Sequence, residues 1–203
     1  MTYTLKHKSL CNYELDLFGE HKHVMYKYIS SILPHSMFDN STNKLIINSG
    51  LIYNLDDYMN IYGNLTLDNA IIMICHLNEQ LLYLHKNNLG YYGFNLSDIL
   101  VVDNDHFILC DTSRLSNVSN NILSINNALL SCTFSNPELK EITTLPSSIP
   151  FSSIYYNIGC LFLYTLVKIN KSYIPPCFEG TKLEWFLKRC FRDNSKERML
   201  LLI

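Results

Sequence analysis

Residues Leu81 to Asp111 read LLYLHKNNLGYYGFNLSDILVVDNDHFILCD and carry the strongest structural pattern of the chain. The apolar positions at its start close an amphipathic helix, which the segment Asn87-Asn88-Leu89-Gly90 ends. Two apolar runs, Ile99–Val102 and Phe107–Leu109, predict short strands joined by a polar turn at residues 103–105. The stretch therefore predicts a helix, a loop and a hairpin that ends on an acid.

The composition favours one ordinary domain, or a small domain with an appendage. Of the 203 residues, 48% are apolar, which suffices for a substantial core, and the formal net charge is −2. No five like charges follow one another, so no basic arm or acidic tail is present. We therefore expect no nucleic-acid partner and no electrostatic attraction to membranes.

The seven cysteines are scattered, at positions 11, 75, 110, 132, 160, 177 and 190, and none forms a C-x-x-C pair. This pattern argues against a zinc site or a secreted disulfide framework and favours a reducing compartment. The first ten residues lack the apolar core of a signal peptide, and the longest apolar stretch, residues 158–167, falls short of the roughly 20 residues that a membrane span needs. We expect a soluble, cytoplasmic protein.

Abundant Asn, Ile, Tyr and Lys are typical of an AT-rich genome, such as that of a large DNA virus.

Periodicity and capping signals predict the remaining elements. The expected helices lie at residues 20–33, 56–63, 66–85, 152–167 and 181–191, with a short helical segment after residue 193. Residues 44–47 and 51–53 form a plausible hairpin. The Ser/Asn-rich segment 112–136, with a possible helical turn at 122–130, and residues 147–151 have the composition of surface loops.

The order of these motifs resembles the large lobe of protein kinases, from about Asp56 to Ile203. In that family a long helix leads to a catalytic loop of the form H-R-D-L-x-x-x-N, a hairpin and a D-F-G triplet. Aligned on Asp98-Ile99-Leu100, the family's motifs fall on these positions: H-R-D on Tyr91-Tyr92-Gly93, the catalytic-loop Asn on Asp98, D-F-G on Asp111-Thr112-Ser113, A-P-E on Asn136-Pro137-Glu138 and the closing Arg on Arg198.

The resemblance implies an α+β, mainly α fold with a protein-kinase large-lobe architecture. Residues 56–203 would form that lobe, truncated in its last helices, and residues 1–55 a reduced or remnant small lobe. It also implies a buried structural ion pair between Glu138 and Arg198, because the family's equivalent residues hold the lobe together in this way.

The departures from the family pattern argue against an enzyme. Gly93 stands where the catalytic Asp accepts the substrate proton, and neutral Asn95 stands at the usual Lys position. The chain has no Gly-x-Gly-x-x-Gly. Lys6 is the one candidate for the lysine on the small-lobe strand and Glu20 for its helix partner, although both are also explained as ordinary surface charges.

Two acids keep the positions of metal ligands in the family. Asp111 matches the D-F-G Asp, and Asp98 replaces the second ligand with another oxygen donor, which suits Mg²⁺. Weak binding of Mg-ATP through Asp98 and Asp111 is therefore chemically possible. The alternative is that Asp111 caps a strand end and Asp98 caps the loop.

Three hypotheses follow. The first is a catalytically inactive, kinase-like protein, or pseudokinase, that acts as a regulatory module by binding another protein. The second is a divergent serine/threonine kinase-like enzyme with residual binding of Mg-nucleotide. The third is an unrelated soluble helical protein whose motifs align by accident.

Overall fold

Residues 3–126, 131–169 and 172–200 are described in the computed structural model. Helices account for 41% of these residues and strands for 27%. The α-helices in them are, in chain order, α1 (Lys22–Ile32), α2 (Leu55–Tyr62), α3 (Leu67–Lys86), α4 (Pro137–Lys140), α5 (Ile154–Val167) and α6 (Lys182–Cys190). Short 3-10 turns lie at Leu96–Asp98, Phe151–Ser153, Pro176–Phe178 and Ser195–Glu197.

The strands form three antiparallel sheets. The first has the order β1-β2-β4-β3, the second β11-β10-β9-β6 and the third β5-β7-β8. The bounds are β1 (Tyr3–Ser9), β2 (Asn12–Leu17), β3 (Ser36–Asp39), β4 (Lys44–Asn48), β5 (Ile52–Asn54), β6 (Leu89–Tyr91), β7 (Ile99–Val102), β8 (His106–Leu109), β9 (Leu115–Ser119), β10 (Ile122–Ile125) and β11 (Ser147–Pro150).

The prediction of a mainly α fold with a kinase large-lobe architecture and a reduced N-terminal small lobe is wrong. Three antiparallel sheets make the fold a mixture of helix and strand, and no kinase fold is identified in it. The error has a physical source, because the strands are only three to seven residues long. Such short strands give a weak alternating pattern, whereas a helix of 20 residues such as α3 gives a strong one.

Two predicted surface loops contain strands. Strands β9 and β10 lie within segment 112–136 and β11 within 147–151, so both loop predictions are wrong there. Asn120 and Asn121 have φ of 51° and 60°, and this left-handed pair forms the tight turn between β9 and β10. The helical turn predicted at 122–130 is a strand at its start, and residues 127–130 lie outside the described residues.

The predicted hairpin between residues 44–47 and 51–53 is also wrong. Both strands exist, but β4 pairs with β2 and β3, whereas β5 pairs with β7 in another sheet. A carboxylate from the β7–β8 turn explains the departure. Asp103 accepts hydrogen bonds from the Ser49 hydroxyl (2.9 Å) and the Leu51 N–H (3.0 Å), and it thereby draws the chain out of the first sheet.

The helix predictions are confirmed to within a few residues at each end for α1, α2, α3, α5 and α6. Thr66 caps α3 as expected, since its hydroxyl accepts a hydrogen bond from the Asn69 N–H. Gly63 ends α2 with φ of 85°, a conformation that favours glycine. The strongest periodic patterns therefore located the helices correctly.

Helix α3 is buried along one face and supports the hairpin β7–β8. Gln80, fully buried on α3, donates to the Leu109 carbonyl (2.7 Å) and accepts from the Leu109 N–H (2.9 Å). These bonds satisfy both backbone groups of the last residue of β8. The end of that strand, and the acid that follows it, are consequently held in a defined place.

None of the helices in the described ranges is both long enough and apolar enough to cross a membrane. All seven cysteines are unpaired thiols, and Cys110, Cys160 and Cys190 are buried among apolar side chains. Burial raises the pKa of each of these three thiols, to about 12 for Cys160. They therefore act as small apolar core residues.

Candidate functional site

The two predicted metal ligands lie side by side at one end of the hairpin β7–β8. Asp98 ends the 3-10 turn before β7, and Asp111 stands two residues after β8. Antiparallel pairing of Ile99 with Leu109, extended by a hydrogen bond from the Cys110 N–H to the Asp98 carbonyl (2.8 Å), brings the acids together. Both are buried, Asp98 at 5% exposure and Asp111 at 0%.

A cation that the sequence analysis missed binds both acids. The Arg114 Nη1 donates to Asp98 Oδ2 (2.9 Å) and to Asp111 Oδ2, and its Nη2 donates to the Ser131 carbonyl (2.9 Å). Arg114 is itself only 7% exposed. One signal in the sequence was available, since Arg114 is one of only four arginines in the chain and follows Asp111 by three residues.

The two carboxylates also accept hydrogen bonds from neighbouring backbone and hydroxyl groups. Asp98 Oδ2 accepts from the Asn95 N–H (2.6 Å), and Asp111 Oδ1 accepts from the Ser113 N–H (2.8 Å) and hydroxyl (2.6 Å). Burial raises the pKa of Asp98 above its ordinary value, and the Asn95 N–H and the Arg114 charge partly oppose this rise. Through these hydrogen bonds, both acids hold the loops around them in place.

This arrangement does not fit a magnesium ion. Mg²⁺ requires octahedral oxygen coordination, with several sites open to water. Here the guanidinium of Arg114 lies across both carboxylates, in the position that a cation ligated by them would need. No cluster of three or more His, Cys, Asp or Glu side chains suited to a metal occurs in ranges 3–126, 131–169 and 172–200.

A short segment, residues 131–134, covers the loop where the catalytic residues were sought. Asn95 Oδ1 accepts hydrogen bonds from the N–H (2.7 Å) and hydroxyl (3.1 Å) of Thr133. Phe94 and Phe134 form an isolated antiparallel bridge, with a hydrogen bond from the Phe134 N–H to the Phe94 carbonyl (3.3 Å). The Asn95 side chain therefore holds this segment against the loop.

Gly93 is packed against the same segment. A Cβ atom added there would lie 2.6 Å from the Sγ of Cys132 and 3.4 Å from the Phe134 carbonyl oxygen. Contacts under 3.0 Å are essentially never made by real Cβ atoms. The position at which a catalytic acid would be expected therefore has no room for any side chain unless Cys132 moves.

We expect Gly93→Ala to lower the free energy of unfolding by about 1–3 kcal/mol, since an extra methyl group overpacks the site. The backbone of Gly93 is not left-handed, so the clash with Cys132 is the cause. Urea melts of Gly93→Ala, Cys132→Ala and the double variant check this. The double variant should be less destabilised than the sum of the single ones; strict additivity would contradict the clash.

A cleft of about 710 Å³ lies beside the acid cluster, between β1, β5 and the loop before β7. Asp98 and Arg114 line its inner end and Lys6 its outer side. The Tyr3 side chain also lines the cleft, and its hydroxyl donates to the Ser97 carbonyl (2.7 Å). Glu20 Oε1 lies 3.1 Å from His21 Nε2, and Glu20 makes no ion pair with Lys6, so these two predicted partners are not brought together.

Glu138 and Arg198 do meet. Arg198 Nη1 lies 2.8 Å from Glu138 Oε2, and its guanidinium also donates to the carbonyls of Arg192 (2.8 Å) and Asp193 (3.3 Å). The Arg198 side chain is 1% exposed and that of Glu138 18%. This pair ties α4 to the C-terminal segment.

The predicted loop 91–98 is also held by two asparagines. The Tyr92 carbonyl accepts hydrogen bonds from the Nδ2 atoms of Asn136 (3.2 Å) and Asn157 (3.3 Å), both fully buried. Ile154, the first residue of α5, is buried, and the loop backbone is held by amide donors from the N-cap of α4 and from α5.

No protein-family model matches this chain. No curated protein matches it either.

Proposed function

We propose that this chain is a catalytically inactive, kinase-like protein that acts by binding another protein. The observation that carries the inactive part is the guanidinium of Arg114, which bridges Asp98 and Asp111. The kinase-like part is supported by the order of motifs in the sequence. Its expected location is the cytoplasm, which the seven unpaired thiols favour.

Phosphoryl transfer needs a base for the substrate hydroxyl and metal ions on the phosphates. Gly93 supplies no base, and segment 131–134 packs on the position. The two acids that would hold the metal already share a buried cation, and a metal ion that displaced it would leave the Arg114 charge buried and unpaired. Each requirement for transfer therefore lacks a residue that is free to meet it.

An exposed apolar surface supports the protein-binding part. The turn between α2 and α3 rests on the end of α5, where the Asn64 Nδ2 donates to the Leu166 carbonyl (2.9 Å) and the Leu65 N–H to the Thr165 carbonyl (3.0 Å). Large exposed side chains surround this turn, and we name them the turn patch: Ile61, Tyr62, Leu67 and Val167. Exposed apolar groups that lie together are typical of protein-binding surfaces.

Thermal unfolding with and without Mg-ATP tests the inactive site. Because a ligand that binds the folded state raises the melting temperature, we expect no shift at millimolar Mg-ATP. Asp111→Asn serves as the matched variant, since it removes one carboxylate at nearly constant size. A rise of several degrees in the wild type that is lost in Asp111→Asn would contradict the proposal, as would phosphate transfer to a protein substrate.

Recovery of a partner from the native cell tests the turn patch. We expect a stoichiometric partner to be retained by the wild type and lost from Ile61→Lys and Tyr62→Ser. Leu82→Lys is the control, because Leu82 is similarly exposed but lies on α3 outside the patch. If all four proteins retain the same partners, the turn patch is not the binding surface.

A further inference from the structure

A second cavity, of about 610 Å³, shares no lining residue with the cleft beside the acid cluster. It forms where the β9–β10 turn meets the junction of β11 with α5 and the 3-10 turn 195–197. We name it the hairpin pocket, and its principal lining residues are Asn120, Asn121, Phe151, Ser152, Tyr155 and Lys196. Its volume is in the range of small-molecule sites, about 300–1,000 Å³.

Hydrogen bonds and ring contacts hold the walls of the pocket in place. The Phe151 N–H donates to the Asn121 carbonyl (2.8 Å), which joins the turn to the start of α5. The Ser152 hydroxyl donates to the Ser195 carbonyl (2.7 Å). The His85 ring lies 4.5 Å from the Phe151 ring, and its Nε2 is 2.8 Å from Asn121 Oδ1. The pocket is therefore preformed, which lowers the entropic cost of binding.

The apolar part of the lining combines two rings with Ile122 and Pro150. The rings of Phe151 and Tyr155 are 6.1 Å apart and nearly perpendicular, at 85°. Phe151 is only 6% exposed and its ring packs on His85, so a bound ring would lie mainly against Tyr155, Ile122 and Pro150. The lining therefore suits a planar, apolar ring.

The polar part of the lining consists of asparagine and serine side chains and one positive charge. Lys196 is exposed, no acid lies within 4.0 Å of its ammonium group in the described ranges, and no Asp or Glu lines the pocket. Its neighbour Glu197 is paired instead with Arg192 (2.7 Å). The Tyr155 hydroxyl has no hydrogen-bond partner among residues of the described ranges, and burial raises its pKa, so it stays a donor.

From this combination we infer that the hairpin pocket binds a small aromatic anion, whose ring contacts Tyr155, Ile122 and Pro150 and whose charge pairs with Lys196. The shape supplies room for one ring with its substituent, and the unpaired ammonium group supplies the charge preference. Nothing in this inference depends on the proposed protein-binding function, because the turn patch and the hairpin pocket share no residue.

Titrations followed by backbone amide NMR test the inference, with phenyl phosphate as the probe. Phenol and benzylamine are matched probes that keep the ring and remove or reverse the charge. We expect saturable shifts at Asn121 and Phe151 with phenyl phosphate, at a dissociation constant of about 1 mM or below. Phenol should bind more weakly, and benzylamine should leave these amides unshifted.

Variants distinguish binding in the hairpin pocket from non-specific attraction of anions to surface lysines. Lys196→Gln should raise the dissociation constant of phenyl phosphate about fivefold or more, since it removes a charge-assisted hydrogen bond. Tyr155→Phe should raise this dissociation constant about twofold or more. The control Lys182→Gln removes an exposed lysine on α6 outside the pocket and should bind as the wild type does.

Three results would overturn the inference. The first is the absence of saturable binding up to about 10 mM phenyl phosphate. The second is unchanged affinity in Lys196→Gln. The third is the occurrence of the amide shifts beside surface lysines rather than at Asn121 and Phe151.

Discussion

Arg114→Ala is expected to lower the free energy of unfolding by about 3–5 kcal/mol, as does the loss of one partner from a buried ion pair. The substitution leaves Asp98 and Asp111 buried, close together and without their shared cation. It also removes the donor to the Ser131 carbonyl, so segment 131–134 loses one of its attachments. Urea melts at neutral pH measure the change, and Arg114→Lys should fall between the wild type and Arg114→Ala.

The control is Lys6→Ala, which removes an exposed cation from the same cleft and should change stability by less than about 0.5 kcal/mol.

The pH dependence of the stability of Arg114→Ala gives a second readout. Burial already raises the pKa of Asp98, and removal of Arg114 raises it further, so the folded variant binds protons more strongly than its unfolded chain. That contribution is complete at low pH and is lost as the pH rises through the raised pKa. The deficit of Arg114→Ala should therefore shrink from about pH 7 to about pH 5. A deficit under 1 kcal/mol that is constant with pH would refute the bridging role.

Arg198→Ala should have the second large effect, a loss of about 3 kcal/mol or more of unfolding free energy. Its guanidinium is buried and bonded to Glu138 and to two backbone carbonyls, and it lies 5.2 Å from the centre of the Tyr156 ring. Truncation leaves Glu138 and both carbonyls short of a donor. Chemical unfolding of the variant beside the wild type measures the loss.

Arg192→Ala is the matched control for Arg198. Arg192 lies six residues earlier and forms an ion pair with Glu197, but both partners are about half exposed, at 50% and 52%. Exposed pairs contribute roughly 0–1 kcal/mol, so this variant should be nearly neutral. Equal stabilities of Arg198→Ala and Arg192→Ala would show that the Glu138–Arg198 contact contributes no more than an exposed pair.

Sequence reasoning located the helices and the hairpin β7–β8 because these patterns are local. A 20-residue amphipathic helix such as α3 repeats its signal over five turns, and Thr66 and Gly63 mark the nearby ends. The pairing of Asp98 with Asp111 was expected from the resemblance to a family, as metal ligands, and the two acids lie side by side on Arg114. The proximity of Glu138 and Arg198 came from the resemblance to a family rather than from any local pattern.

What sequence reasoning missed depends on partners distant in the chain. Strand β11 is a run of Ser, Ser, Ile and Pro that becomes a strand by pairing with β10, more than 20 residues earlier. The role of Arg114 depends on two acids whose orientation no periodicity encodes. Segment 131–134 was assigned to a surface loop, and only its packing on Gly93 shows that it closes the site.

The placement of β5 has a consequence for any division of the chain near residue 55. This strand precedes the predicted boundary between residues 55 and 56, yet it pairs with β7, whose sequence is Ile-Leu-Val-Val. Removal of the first 55 residues would leave β7 as an open edge of four consecutive apolar residues. Uncovered edges of this kind pair with other chains and promote aggregation. By covering this edge, β5 protects the apolar strand β7 from self-association.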